Sequence, residues 1–154
     1  MQVTGSFGSW RMGSAMKTNR AMPRSLNTDG LDFRSQCSIS RTLDLVGDRW
    51  TLLIIRDLMW HEKHTFQALQ GSAERIPTNI LSHRLRRLME LDLVRREQYQ
   101  ERPPRYAYHL SETGRSLEPV LIQIMRWGHT FLGGGMLDRV KAGPRPHREK
   151  GPYR

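Results

Sequence analysis

Six residues in the stretch 76–94, IPTNILSHRLRRLMELDLV, bring hydrogen-bonding groups together at helical spacing: Thr78, Asn79, Ser82, His83, Arg86 and Arg87. At about 100° per residue, Leu81, Leu85 and Leu88 share a narrow arc of the helix. Asn79, His83, Arg86 and Glu90 fall opposite, with Ser82 and Arg87 on the flanks. A guanidinium matches the acceptors of guanine, an amide matches adenine, and a hydroxyl meets either a phosphate or a base. The leucine arc would hold such a helix on a core and leave these groups free to read base edges and phosphates. An ordinary solvated face can have the same composition, so the neighbouring elements decide between the two.

Those neighbours follow a regular punctuation. Ile39, Leu43 and Val46 mark a short amphipathic helix stopped at Gly47, and Asp48 caps a second helix, RWTLLIIRDLMW. That second helix is apolar nearly all round and is expected to run through the core. Thr65 caps a short third helix, FQALQ, with Phe66 and Leu69 inward, and GSAERIP is a tight connection. Pro77 suits the first turn of the fourth helix, about 78–91, where a missing N–H is no loss. The period then changes from 3.6 to 2: VRREQYQ and RYAYHL flank ERPP, which predicts a hairpin with Tyr106, Tyr108 and Leu110 on its buried face. Arg95, Arg96, Arg102 and Arg105 decorate this hairpin, where they could follow a DNA backbone toward the minor groove. Glu97 and Glu101 dilute that charge. Ser111 opens a last helical segment with a break expected at Pro119. Beyond it Leu117, Val120, Leu121, Ile124, Trp127 and Phe131 form a wide apolar stripe.

A short helix, a tight turn, a longer helix and a β-hairpin describe a winged helix-turn-helix, mainly α with a small hairpin. The folded body is read as 35–134, preceded by a disordered basic arm (1–34) and followed by a flexible basic tail (135–154).

The formal net charge of the 154 residues is +10, which favours a polyanionic partner. Residues 1–36 hold 5 Lys/Arg against 2 Asp/Glu, residues 136–154 hold 6 against 2, and the body holds 14 against 11. Much of the excess therefore belongs to the ends, and only the placement of charge within the body can distinguish a DNA-binding surface. A single cysteine, Cys37, allows no intrachain disulfide and suits a reducing, cytoplasmic setting. Leu52–Ile55 is far short of a membrane span. His61 and His64 in HEKH have no third ligand in sequence, so no metal or other cofactor is expected. No nucleophile–base pair, phosphate loop or paired carboxylates point to catalysis.

The stretches CSISRTLDLVGDRWTLLIIRDLMW, RIPTNILSHRLRRLMELDLVRREQY, PPRYAYHLSETGRSLEPVL and RWG closely resemble the HxlR-type family of winged-helix transcriptional regulators, relatives of the MarR group. The resemblance covers about 37–131. It implies a bacterial homodimer without catalytic activity that binds a double-stranded DNA operator. It also implies a dimer interface built by the first and last helices, with Ile39, Leu43, Leu121, Ile124, Trp127 and Phe131 as its apolar residues. Two recognition helices would then read a roughly palindromic site. Some members of the family sense oxidants, quinones or aldehydes through a cysteine at the position of Cys37, so an oxidant or small-molecule effector is implied as well. Arg34 and Arg41 lie close in sequence and would favour its thiolate. Equally, Cys37 could pack as a small apolar residue. Two features depart from the family: Asp92 stands where a small residue is usual, and the first arm is long.

Repression is the expected mode, because a protein bound over a promoter blocks polymerase. Two other readings of the residues stay open: a winged helix that serves as a protein-interaction platform, and a non-specific nucleic-acid binder driven by the tails.

Overall fold

Residues 26, 28, 30–133 and 135 are described by the computed structural model. Helices α1 (Ser38–Val46), α2 (Thr51–Trp60), α3 (Phe66–Gln70) and α4 (Thr78–Glu90) precede strands β1 (Val94–Gln100) and β2 (Arg105–Leu110), and α5 (Glu112–Arg115) and α6 (Glu118–Phe131) follow. The strand begins directly after Leu93, where the period changes.

Each boundary has a local cause. The amide of Gly47 donates to Leu43 O at 2.8 Å, and a Cβ at Gly47 would lie 2.4 Å from that same oxygen, so only glycine closes α1 this tightly. Asp48 caps α2 across two residues: its Oδ1 accepts from the amides of Trp50 (2.9 Å) and Thr51 (3.1 Å), and its Oδ2 accepts from the Thr51 hydroxyl. Burial alone would raise the Asp48 pKa; the Thr51 hydroxyl, the Trp50 amide and Arg84 outweigh it and hold the carboxyl below its ordinary value. Thr65 caps α3 by accepting from the Ala68 amide at 3.2 Å. Pro119 sits in the first turn of α6, so the expected break falls just before it.

The core gathers where α2, α3, α4 and the hairpin meet. Ile54, Ile55, Leu69, Leu81, Leu85, Leu88 and Leu91 are fully buried, and the three leucines of the α4 arc are among them. The helix expected to run through the core does so, but with a carboxylate inside it: Asp57 is 0% exposed. Leu26 and Leu31, assigned above to the disordered arm, are half-buried against this core. Two leucines five residues apart have no periodicity to betray them.

β1 and β2 pair antiparallel, Val94 with Leu110 through Gln100 with Arg105, with an irregularity between Gln98 and Gln100. The free edge of β2 is also occupied: Ala107 forms a bridge with Thr65, and the Tyr108 amide donates to His64 O at 2.7 Å. This third edge explains why the expected alternation is blurred. Tyr106 and Tyr108 are half-buried, but so are Ala107 and His109, and only Leu110 is fully inside. The wing is fastened at its base by Ser111, whose hydroxyl donates to Asp92 O at 2.6 Å and accepts from the Gly114 amide at 3.0 Å. A Cβ at Gly114 would lie 2.1 Å from Leu93 O, so α5 can cross the wing base only with glycine there.

Candidate nucleic-acid interface

The outward face of α4 is as the leucine arc requires. Thr78, Asn79, Ser82, His83 and Arg86 are exposed, whereas Arg87 is half-buried and ion-paired with Glu90 at 3.3 Å. Asn79, Ser82, His83 and Arg86 make no side-chain hydrogen bond or ion pair among the described residues. Thr78 is different, since its hydroxyl accepts from Gln70 Nε2 at 2.6 Å and so straps the end of α3 to the start of α4. The third arginine of the stretch, Arg84, faces away from this surface. It is half-buried with its Nε 3.3 Å from Asp48 Oδ1, close enough for an ion pair but not aligned as a hydrogen bond. Two positions along the helix therefore separate an arginine that braces α4 on the cap of α2 from Arg86, which pairs with nothing among the described residues.

The turn that delivers α4 is clamped by a group of charges that the sequence reading did not pick out. Asp57 Oδ1 accepts from Arg56 Nε (2.9 Å) and Nη2 (2.6 Å), and its Oδ2 accepts from Lys63 Nζ (3.1 Å) and the buried Ser72 hydroxyl. Arg56 also holds Glu74 through two bonds of 2.7 and 3.0 Å. The Arg56 guanidinium drives the Glu74 carboxyl down to about 2 and is itself raised by Glu74. The only sequence signal was an acid in the middle of an apolar helix, at Asp57.

On the wing, Arg95, Arg96, Arg102 and Arg105 are all exposed. Arg95 lies 3.6 Å from Asp92, and Arg96 stacks over the Tyr106 ring, its Cζ 4.4 Å from the centroid. Asp92 itself has φ 52°, a left-handed position that favours a small residue and that aspartate tolerates better than most.

Residues 45–135 match the family described as HxlR-like helix-turn-helix. The chain belongs to this family.

Among HxlR-like relatives, it is 41% identical over 95 residues to an uncharacterized HTH-type transcriptional regulator of Mycobacterium tuberculosis, covering 62% of this chain and 59% of the relative. The chain thus spans about three fifths of the length of that relative. It is 31% identical over 117 residues to the uncharacterized HTH-type transcriptional regulator YdeP of Bacillus subtilis, covering 73% and 89%. Among solved structures, the HTH-type transcriptional regulator YtcD superposes with a TM-score of 0.58 at 31% identity, covering 64% of this chain and 99% of YtcD. The redox regulator HypR in its oxidized form superposes with a TM-score of 0.54 at 31% identity, covering 66% and 100%. The HxlR-like fold here is a winged helix-turn-helix, with α3 and α4 as the helix pair and β1–β2 as the wing.

Cys37 lies just before the matched region. It is exposed at the N-terminus of α1, and the backbone N–H groups of Ser40 and Ile39 lower its pKa. The arginines expected to do this are committed elsewhere. Arg34 pairs with Asp44 at 2.5 Å, and Arg41 lies over the Phe33 ring at 4.3 Å. Helix geometry, not a neighbouring cation, favours this thiolate.

The two histidines of HEKH have separate roles. His64 Nδ1 bonds Tyr108 O at 3.0 Å and its ring stacks on His109, while His61 Nε2 lies 4.0 Å from Asp57. Trp50, Trp60 and Trp127 separate as well. Trp50 and Trp60 pack against the core, and Trp60 Nε1 donates to Glu118 at 3.1 Å, which ties α2 to α6. Trp127 stands 59% exposed. A polar cleft of about 400 Å³ lies between the wing base and α5, lined by Asp92, Arg95, Ser111, Glu112 and Arg115 among others. No helix among the described residues is long and apolar enough to cross a membrane.

Proposed function

We propose that this chain is a sequence-specific DNA-binding transcriptional regulator that reads a roughly palindromic operator as a homodimer, with repression as its mode. The observation that carries this is the outward face of α4, where Asn79, Ser82, His83 and Arg86 are exposed and unengaged beside a rigidly held turn. Groups without a side-chain partner among the described residues, on a well-braced helix, suit base contacts, with Thr78, Arg87 and the wing arginines suited to follow the backbone.

The dimer is supported by large apolar side chains that stand exposed. Ile39 and Leu43 on α1, and Ile124, Trp127 and Phe131 on α6, are 51–72% exposed. Leu121 stands apart from that group: at 7% exposure it already belongs to its own core. A second copy covering this face by a two-fold axis would space two α4 helices for half-sites about one turn apart.

A redox response through Cys37 is a second layer of the same reading, favoured by its exposure and lowered pKa and by the likeness to HypR. Such a regulator works in the cytoplasm, where thiols stay reduced until stress. Selection of bound duplexes from a random pool tests both layers, with reduced protein and with protein oxidised by diamide. A palindrome enriched only by reduced protein supports operator reading and the thiol switch, and Cys37→Ser should then bind in both conditions. Enrichment in both states removes the switch alone. No enriched motif would refute the regulator and leave a protein partner or tail-driven binding in its place.

A further inference from the structure

Arg75 holds a backbone conformation that does not suit it. Its φ is 54°, in the left-handed region that glycine adopts freely and a side chain with a Cβ disfavours. Glu62 and Asp92 share that geometry, but each follows the end of a helix. There a left-handed residue closes the last turn, as where the Leu93 amide donates to Leu88 O at 2.9 Å beyond α4. Arg75 closes no helix. It lies in the α3–α4 turn, three residues before Thr78, where its amide donates to Ser72 O at 2.9 Å.

The turn is held from both sides of this residue. Ser72 is buried and bonded to Asp57, Glu74 is gripped by Arg56 at 2.7 and 3.0 Å, and Ile76 is 3% exposed. Strain that persists because its surroundings over-determine it tends to mark a functional position. The Arg75 side chain is exposed and pairs with no acid among the described residues. Its neighbour Glu74 is already neutralised by Arg56. The start of α4 beside it has no side-chain cap, so backbone N–H groups also remain open there.

We propose that Arg75 is a DNA-phosphate contact, held by the clamped turn at the entrance to the recognition helix. A guanidinium beside uncapped amides is suited to a backbone phosphate and carries no base information. This rests on the reading of α4 above and adds a residue outside its outward face.

The test uses the full chain, with Arg75→Gly, Arg75→Lys and Arg86→Ala measured in parallel. Affinity is read across a salt series on the selected operator and on a scrambled duplex, and thermal unfolding is followed separately. Arg75→Gly relieves the backbone, so its Tm should rise by a few degrees while binding weakens roughly fivefold on both duplexes. Its salt slope should become shallower by about one for each half-site, and Arg75→Lys should restore most of the affinity. Opposite signs for stability and binding would not arise from a purely structural role. Unchanged affinity and slope in Arg75→Gly, with Arg86→Ala still impaired, would overturn the Arg75 contact alone. A change of base preference at one operator position would overturn its assignment to phosphate. Wild-type protein that binds no duplex would overturn the α4 reading and this inference with it.

Discussion

Arg56 and Arg86 lie on two helices of one small domain and do opposite things with the same guanidinium. Arg56 is half-buried and divides its donors between Asp57 and Glu74, at distances from 2.6 to 3.0 Å. Arg86 is exposed and has no partner among the described residues. The first guanidinium holds the α3–α4 turn against α2. The second is presented by the helix which that turn delivers. Composition counts them alike, yet one acts on the fold and the other is left for a partner. This division of labour explains how a body with only a small charge excess can present a basic face.

Removing the acid at the centre of the clamp should have the largest effect. Asp57→Ala leaves Lys63, Arg56 and the buried Ser72 hydroxyl without their shared acceptor, and a loss of about 3 kcal/mol in urea unfolding is expected. Arg56 and Lys63 keep side-chain exposures of 23% and 27%, which places the cost at the low end for a broken buried pair. A loss under about 1 kcal/mol would mean that the clamp is not what seats the turn.

The opposite profile is expected of Arg86→Ala: stability unchanged within about 0.5 kcal/mol, and about 1–3 kcal/mol lost at the cognate operator if it reads a base. Uniform weakening across all duplexes would place its contact on phosphate instead and narrow its contrast with Arg75.

Glu74 gives the smallest effect and the sharpest signature in pH. Its carboxyl is held at about 2 against an ordinary 4.5. Because the folded value is the lower one, its contribution is present above about pH 4.5 and is lost as the pH falls toward about 2. Glu74→Gln should therefore flatten the acid limb of stability in that window. At neutral pH it should cost below about 1 kcal/mol, since the side chain is 32% exposed. An unaltered acid limb would remove Glu74 from the clamp.

Much of this was legible in the chain because it is local. The interval between Leu81, Leu85 and Leu88 fixes which side of α4 is buried and hence that Asn79, His83 and Arg86 point outward. The helix stop at Gly47, the caps at Asp48 and Thr65, and the change to period 2 after Leu93 each need only a few neighbouring residues. The motifs from Cys37 to Gly128 carried the family resemblance in the same way. Less visible were the third partner edge of β2 and the inward packing of Leu26 and Leu31, which depend on segments far apart in sequence.

The sequence by itself determined the order of elements, the buried arc of the reading helix and the chemistry of its outward face, because helical and strand periods are set within a turn or two. The tertiary structure alone decided which charges stay free. It brought Ser72 and Glu74 onto Arg56 and Asp57, turned Arg84 toward Asp48, engaged Arg34 with Asp44 away from Cys37, drew Leu121 into the core and left Ile124 outside. Ion pairing and burial depend on distances across space between segments, and no local period encodes them. The left-handed Arg75 belongs with these, since only the contacts on either side of it make that conformation tenable.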